Sequence, residues 1–394
     1  ATRIGSDGLL KKYQENLLLQ SNQFDTTWFS SSTTETSGQS GYDGSSDAWL
    51  LDINGGSSAQ YIGQNISVSG VQTFSFYAKA GSKNWVMCLG TNATIPQVYF
   101  DLQNGVVGTM QNATGEIVSV GNGWYRCSMW HNQTIGSIRI YIATADNDVT
   151  QSSGNILIQS AQLETGLVAT DYLNSTSVTA KAGVLVDLPR INYDANGENG
   201  SLLLEPSRQQ LIQYSEYFET SEWTTPNVVF ETNKAISPDG GFNATKFRAN
   251  SANSTHWAST ALTLTSGQDY TFKLYVKSAE YDWVQIALFG QGWVGSTKTI
   301  NFNASTGEFG TTDTGITFDS NPMGNGWHEV IITNEAASTS GIIRVYPMPS
   351  NNGTSYQGDG TSGVYIFGAM LEQGSYSSSY IPNHSGTGGV TRAA

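Results

Sequence analysis

The sequence predicts an all-β protein built from two tandem antiparallel β-sandwiches of jelly-roll type that arose by an internal duplication. Three observations predict this fold. Two long stretches of the 394-residue chain repeat each other in order, short runs of alternating apolar and polar residues dominate, and clusters of turn residues separate the runs. Helical periodicity is weak, so a βαβ arrangement, which needs intervening helices, is not indicated.

The repeat covers most of the chain. The matched segments, first copy against second, are NLLLQSNQFDTTW with QLIQYSEYFETSEW, TFSFYAKAGSKNWV with TFKLYVKSAEYDWV, GNGWYRC with GNGWHEV, SIRIYI with IIRVYP, and ILIQSAQLETG with VYIFGAMLEQG. A repeat of this length can form its own core, so each copy is predicted to be a domain. Positions that agree are expected to serve the fold, and positions that differ are where function has room to diverge.

The repeat also gives the predicted domain boundaries. They are an N-terminal linker or strand segment at 1–15, a first jelly roll at 16–176, a connector at 177–207, a second jelly roll at 208–383 and a tail at 384–394. The connector has relatives at both chain ends, ATRIGSDGLL and GVTRAA. Three interpretations are open for the connector: a plain linker, one element of a longer array, or a strand that is exchanged with a neighbouring subunit.

The strand signals are short and regularly punctuated. Runs such as TFKLYVK, IRIYI and HEVIIT alternate with period two, and turn clusters such as QNG, GNG and DGG lie between them. Many short strands with turns at this spacing are typical of sandwiches and jelly rolls.

Composition excludes some classes of function. Charged residues are 13% of the chain, glycine occurs 43 times, and the net charge is −14. Such a polar, weakly charged surface is common in extracellular β proteins and virion proteins. The negative charge would repel phosphate backbones, so no nucleic-acid partner is expected. No apolar run approaches the roughly 20 residues that cross a bilayer, so no membrane insertion is expected, and any leader is expected to be absent from this sequence.

Three segments of the second copy carry a family resemblance: LLLEPSRQQLIQYSEYFETSEW, SPDGGFNATKF and GAMLEQGSYSSSYIP. They resemble domains of bacteriophage tail-fibre and head-spike proteins, which are similar to the carbohydrate-binding-module jelly rolls of secreted polysaccharide-degrading enzymes. The first copy resembles them more weakly. The resemblance implies a virion-surface protein that forms a homo-oligomer, most simply a trimer, contacts other virion proteins and touches host cell-surface polysaccharide. It supplies no catalytic residues.

No motif in the sequence indicates an enzyme or a metal site. None of the four histidines lies in HExxH, and GxSxG does not occur. A carboxylate pair for glycoside hydrolysis stays open, because only folding brings such residues together. The matched turns Asp43-Gly44 and Asp239-Gly240 leave a structural calcium ion possible, although an Asp-Gly turn needs none. No other cofactor is predicted.

Two charged positions recur in both copies. Glu164 matches Glu372, and Arg139 matches Arg344 on the strand immediately upstream. We expect a structural arginine–carboxylate contact that ties neighbouring strands rather than a catalytic pair.

Tryptophan supplies the candidate sugar contacts, because a flat aromatic ring covers the apolar face of a pyranose. Six of the ten tryptophans form matched pairs and are expected in the cores: Trp28 with Trp223, Trp85 with Trp283, and Trp124 with Trp327. The unmatched Trp257, and Trp293 in the Gly-rich FGQGWVGS loop, are the preferred candidates, and His256 beside Trp257 is a further candidate. Trp49 and Trp130 are weaker candidates. Packing against a neighbouring subunit would equally explain an exposed loop aromatic.

Both cysteines, Cys88 and Cys127, lie in the first copy and match Ile286 and Val330 in the second. Apolar partners indicate core positions, and a disulfide between the two is left open.

The sequence as a whole favours a non-enzymatic virion appendage, from a tail fibre or head fibre, that adheres to host glycans through many weak contacts. The alternative is the carbohydrate-binding region of a secreted polysaccharide-degrading enzyme. A third possibility is a purely structural spacer. All three place the protein outside the cell or on the virion surface.

Overall fold

The computed structural model describes residues 2–55, 60–150, 152–185 and 188–393, and these residues form strands, turns and loops. No helix that could span a membrane is present in this part of the chain. The chain divides into two compact units, 14–182 and 1–13 with 183–394. We call them domain 1 and domain 2. The chain begins with β1 (Thr2–Ile4) and β2 (Leu10–Asn16), which pair antiparallel.

Domain 1 consists of two six-stranded sheets. Their strands are β3 (Phe29–Ser31), β4 (Thr33–Gln39), β5 (Ala48–Ile53), β6 (Tyr61–Val68), β7 (Gln72–Ala80), β8 (Trp85–Thr91), β9 (Gln97–Asp101), β10 (Val106–Gln111), β11 (Thr114–Gly121), β12 (Trp124–His131), β13 (Ile135–Ala143) and β14 (Asn155–Thr165). Sheet 1A has the order β11-β12-β7-β14-β5-β4, and sheet 1B has the order β10-β9-β8-β13-β6-β3. The short β15 (Ala180–Gly183) ends the domain.

Domain 2 has the matching architecture. Its strands are β16 (Ile191–Asn192), β17 (Ser201–Leu202), β18 (Arg208–Gln210), β19 (Val228–Ala235), β20 (Ala244–Ala249), β21 (Asn253–Thr255), β22 (Ala258–Thr263), β23 (Asp269–Ser278), β24 (Trp283–Phe289), β25 (Lys298–Asn303), β26 (Glu308–Thr312), β27 (Thr317–Pro322), β28 (Trp327–Glu335), β29 (Ser340–Met348), β30 (Ser355–Gln357), β31 (Gly363–Gln373) and β32 (Val390–Arg392). Sheet 2A has the order β19-β20-β31-β23-β28-β27, and sheet 2B has the order β22-β29-β24-β25-β26. The prediction of tandem antiparallel β-sandwiches is confirmed.

Period-two alternation explains how each sandwich buries its core. On β7, Phe74 and Phe76 are fully buried between the sheets, where they meet Ile138 and Ile140 of β13. The next residue, Tyr77, belongs to a separate cluster on the outer face of sheet 1A. Because side chains alternate across a strand, the outer faces are left to carry polar and aromatic groups of their own.

The duplication is visible in main-chain detail. Gln210 Nε2 donates to Ala369 O (2.9 Å), as Asn16 Nδ2 donates to Ala161 O (3.0 Å) at the matched position. Each of the long strands β14 and β31 also contains an irregularity, with φ of 54° at Ser160 and 60° at the matched Gly368. Positive φ favours glycine, so domain 2 meets this backbone requirement with less strain.

Most of the segments predicted as linkers, namely 1–13, 183–207 and 384–394, belong to domain 2. Lys12 lies in a buried ion-pair cluster with Glu216 (3.0 Å) and Asp239 (2.5 Å), and β32 pairs antiparallel with β18. The compact unit therefore extends beyond the predicted 208–383 in both directions. The physical reason is that charged and apolar groups of these segments cover the outer face of sheet 2A.

The matched tryptophans are mostly buried, as predicted. Trp28 and Trp223 lie in the sandwich cores, and Trp124 and Trp327 lie in buried clusters on the outer faces of sheets 1A and 2A. The third pair, Trp85 and Trp283, is only half-buried.

The two cysteines are free and fully buried. Cys88 lies on β8 of sheet 1B and Cys127 on β12 of sheet 1A. Burial raises the pKa of both thiols well above the usual value. They are core residues, as their apolar partners in the second copy indicate.

Candidate functional site

A cleft lies on the outer face of sheet 2A. Its volume is about 430 Å³, within the range of roughly 300–1,000 Å³ that is usual for small-ligand sites. Strands β23, β27 and β28 form its floor. Residues 2–4, the connector and the loop 375–380 contribute its walls. We call this feature the sheet cleft.

A buried ion pair forms the floor of the sheet cleft. Lys273 is 2% exposed, and its Nζ lies 2.8 Å from Glu329 Oε1. Lys273 Nζ also donates to the carbonyl of Ser378. Tyr275 donates its hydroxyl to Glu329 Oε1 (3.2 Å), and Asn321 Nδ2 donates to Glu329 Oε2 (3.0 Å). The carboxylate is thus held by three side chains.

The electrostatics of the pair follow from burial and charge. Burial favours the neutral acid, but the Lys273 ammonium outweighs it and holds the pKa of Glu329 below its usual value. Burial, and the nearby negative charge of Glu329, raise the pKa of the Tyr275 hydroxyl well above 10. Glu329 is therefore ionised at neutral pH, and its ion pair with Lys273 forms a fixed floor.

A second carboxylate fixes the wall of the sheet cleft. Glu205 accepts hydrogen bonds from Ser379 N and Oγ (2.6 Å each), and it pairs with Arg190 (2.9 Å) and Arg392 (3.1 Å). Burial alone would raise the pKa of Glu205, but Ser379 and the two arginines lower it on balance. A general acid needs a raised pKa, and neither Glu205 nor Glu329 has one.

The rim offers groups that a sugar can contact. Tyr376 is 54% exposed, and its ring lies 5.1 Å from Arg208 Cζ. Asp319 and Asn321 on β27 are exposed and line the same cleft. The sheet cleft therefore combines an accessible aromatic ring with polar groups on a rigid floor.

The two copies differ at this site. In domain 1, Ser75 and Arg126 occupy the positions of Lys273 and Glu329. Arg126 Nη2 donates to Ser75 Oγ (3.2 Å) and to the carbonyl of Thr170, which matches Ser378. The same carbonyl thus receives a cation in each domain, but from a different strand.

The exposed aromatic also belongs to one copy. Val168 occupies the position of Tyr376 in domain 1. The two copies therefore differ in both the floor and the rim of the sheet cleft. The sequence repeat already shows two of these differences. Ser75 in TFSFYAK matches Lys273 in TFKLYVK, and Arg126 in GNGWYRC matches Glu329 in GNGWHEV.

The recurring carboxylates are structural, but not through the predicted arginines. Glu372 accepts from Ser378 N (2.7 Å) and Oγ (2.6 Å), and Glu164 accepts from Thr170 N (2.9 Å) and Oγ (2.6 Å). The predicted contact with Arg139 or Arg344 is wrong. Those arginines lie on sheets 1B and 2B, whereas the carboxylates lie on sheets 1A and 2A.

Three of the predicted sugar-contact residues are buried, and the predicted display of Trp293 to solvent is wrong. Trp293 is 1% exposed and donates Nε1 to Ile342 O (3.1 Å). Trp49 is 6% exposed and donates Nε1 to Asn22 O (3.0 Å). His256 is fully buried and stacks on Tyr356 at 4.3 Å.

The loop bearing Trp293 folds back onto sheet 2B. A Cβ at Gly341 would lie 3.0 Å from the Trp293 ring, so the absence of a side chain at Gly341 leaves room for the indole. The remaining candidates, Trp130 on β12 and Trp257, are half-buried. Neither lines the sheet cleft. A sugar-binding role for them stays a prediction.

The acidic turns considered for calcium have other partners. Asp239 binds Lys12 and accepts from Ser237 Oγ (2.6 Å), and Asp43 accepts from Ser45 Oγ (2.6 Å). Within the described ranges, no group of three or more His, Cys, Asp or Glu residues is placed to hold a metal ion.

Comparison with known proteins gives little further guidance. No family model and no curated protein matches the chain. The chain is similar to the N-terminal CBM22-1–CBM22-2 tandem domain of Paenibacillus barcinonensis Xyn10C, at 12% identity over 91% of this chain and 98% of that chain, with a TM-score of 0.28. It is also similar to Bacillus subtilis oxalate decarboxylase, at 9% identity over 85% and 76% of the two chains, with a TM-score of 0.12. Likenesses this low do not support a shared function.

Proposed function

We propose that this protein is a non-catalytic glycan-binding protein and that the sheet cleft of domain 2 receives the sugar chain. The observation that supports the proposal is an exposed Tyr376 ring beside a cleft of about 430 Å³ whose buried charges are already paired. A flat ring covers the apolar C–H face of a pyranose, and neighbouring polar groups hydrogen-bond its hydroxyls.

Rigidity of the site supports the same function. The floor is fixed by the Lys273–Glu329 pair, and the wall is fixed by Glu205 with its two arginines. Groups held in place before binding lose little conformational entropy when a ligand arrives. A weak single contact of this kind becomes useful when several copies bind together, because linked sites raise the effective concentration.

A second part of the proposal concerns the kind of protein to which this chain belongs. We favour an extracellular carbohydrate-binding region over a virion appendage, because the sheet cleft offers a glycan contact within this one chain and requires no other virion protein. The appendage, as a trimeric fibre that contacts other virion proteins and host polysaccharide, rests on the three sequence motifs of the second copy.

The decisive variants come from the chain itself. Tyr376→Val installs the residue of domain 1 at the matched position, and Tyr376→Phe keeps the ring. Binding to a panel of neutral polysaccharides is measured for the parent and both variants, with reducing-end release followed in the same samples. We expect saturable binding by the parent and Tyr376→Phe, a loss of roughly tenfold in Tyr376→Val, and no release of sugar ends. Equal binding by all three would place the glycan elsewhere, and release of sugar ends would contradict the non-catalytic function.

A further inference from the structure

Each domain holds an arginine against aromatic rings on the outer face of its second sheet. In domain 2, Arg344 Cζ lies 4.0 Å from the centroid of the Trp257 ring and 3.4 Å from that of Phe289. In domain 1, Arg139 Cζ lies 4.5 Å from the Tyr61 ring and 5.7 Å from the Phe29 ring. We call each of these groups an arginine clamp.

The two clamps are equivalent in strand register. Arg344 on β29 lies opposite Ser259 on β22, two residues after Trp257. Arg139 on β13 lies opposite Gly63 on β6, two residues after Tyr61. Trp257 and Tyr61 therefore occupy equivalent positions in the two domains. The same arrangement is kept in both copies, although the aromatic residue differs.

Most guanidinium N–H donors of the two clamps have no hydrogen-bond partner among the described residues. The Nε atoms of Arg139 and Arg344 are buried and have no hydrogen-bond partner. Arg139 donates Nη1 to the Tyr141 hydroxyl (3.2 Å). In the part of the chain that the structure describes, no hydrogen bond or ion pair involves the Arg344 side chain.

Other arginines with an unpaired Nε are satisfied elsewhere. Arg126 donates to Ser75 Oγ and to a carbonyl, and Arg392 donates to three oxygens and pairs with Glu205. A guanidinium carries five N–H donors, and buried donors are normally paired. In the clamps, by contrast, both Nη groups of Arg344 and Nη2 of Arg139 have no hydrogen-bond partner within the described ranges, and these are the donors that a bound acceptor would engage.

The chemistry of the acceptor follows from the geometry. The N–H donors of a guanidinium lie in its plane, so stacking on ring faces leaves the edge of the fork open for a carboxylate, which it binds with two parallel hydrogen bonds. The flanking rings offer apolar surface to the body of the ligand. A net charge of −14 disfavours ligands of high charge density, so a sugar with one carboxylate suits the clamp better than a phosphate polymer.

We propose that the two arginine clamps bind the carboxylate of acidic sugars of the uronic-acid class, one in each domain. This inference rests on the proposed glycan-binding function and gives it a substrate class. In domain 2 the clamp lies on the outer face of sheet 2B and the sheet cleft on the outer face of sheet 2A, so the clamps are acidic-sugar sites separate from the cleft.

The test uses the full chain and two probes, a short oligogalacturonate and the same oligosaccharide with its carboxyl groups reduced to alcohols. The variants are Arg344→Gln, Arg139→Gln and the double variant. Lys234→Gln is the matched control, because Lys234 is exposed on β19 of domain 2 and its loss changes the net charge equally. We expect the parent and the control to bind the acidic probe roughly tenfold more tightly than the reduced probe.

Each single variant should weaken this preference and the double variant should abolish it. Arg344→Lys keeps the charge but loses the fork, so it should behave like Arg344→Gln. Thermal melting equal to that of the parent shows that the variants fold. Equal binding of both probes by the parent would overturn the clamp proposal and leave the sheet cleft standing. Failure of the parent to bind either probe or any neutral polysaccharide would overturn both the clamp proposal and the proposed glycan-binding function. An acid preference that survives in the double variant would place the carboxylate elsewhere.

Discussion

Replacing Lys273 with Met leaves the Glu329 carboxylate in the sheet cleft without its cation. Lys273 is 2% exposed, and the Glu329 side chain is 13% exposed. Removing one partner of a buried ion pair typically costs about 3–5 kcal/mol, because the other charge stays buried and uncompensated. Asn321 and Tyr275 still hydrogen-bond the carboxylate. We therefore expect a loss near the lower end, about 3 kcal/mol, in the unfolding free energy of domain 2.

The loss of stability caused by Lys273→Met should be larger at neutral pH than at acid pH. In the parent, Lys273 lowers the pKa of Glu329, so the stabilisation is present above the unfolded value of about 4.3 and is lost as pH falls below it. In Lys273→Met, burial is no longer opposed by the ammonium and raises this pKa. The difference between parent and variant should therefore be largest at pH 7 and should shrink toward pH 4.

Domain 1 supplies the compensating variant. Lys273→Ser with Glu329→Arg introduces the Ser75–Arg126 chemistry at the matched positions, and the new arginine can donate to the carbonyl of Ser378. We expect the double variant to lose less than half of what Lys273→Met loses, a non-additivity typical of contacting residues.

The assay is urea denaturation at pH 7 and pH 4, with the transition of domain 1 as the internal reference. A loss below about 1 kcal/mol at pH 7 would place the pair in the range of weakly coupled surface charges. That result, or a loss that does not change with pH, would refute the electrostatic description of the cleft floor.

Three further outcomes follow from buried groups. Glu372→Gln weakens the hydrogen bonds from Ser378 and should lower the stability of domain 2 by about 1–3 kcal/mol; unchanged melting would contradict the structural role. For Asp239, burial raises the pKa but Lys12 lowers it to about 2 on balance. About 2 kcal/mol of stability should therefore be present above pH 4 and lost as pH falls to 2, and Lys12→Met should abolish this loss in an acid-denaturation series. Trp293→Ala should cost about 3–5 kcal/mol as a core truncation, and a variant that keeps its stability but loses glycan binding would show that the ring is exposed.

The fold could be predicted because its determinants are local and repeated. Alternation in TFSFYAK places Phe74 and Phe76 on one face, and the second copy repeats the pattern. The predicted Arg139–Glu164 contact failed because strands that follow each other in the sequence belong to different sheets in this sandwich. The chain order alone does not state where a strand crosses to the opposite sheet.

The site was harder to predict because ring exposure depends on how loops return to the sheets. A Gly-rich loop favours a displayed Trp293, yet the loop folds back and buries the indole. The equivalence of Trp257 and Tyr61 follows from the register of strand pairing in each domain, which the sequence repeat does not reveal. The cleft positions Lys273 and Glu329 were visible as differences between the copies, but folding was needed to bring them together.

The most direct test of the central claim is calorimetric titration of the parent, Tyr376→Val and Tyr376→Phe with the best-bound polysaccharide of the panel. The proposed sheet cleft predicts saturable binding that weakens roughly tenfold in Tyr376→Val and is retained in Tyr376→Phe. Identical affinities for all three proteins, at unchanged thermal stability, would show that the sheet cleft is not the glycan site.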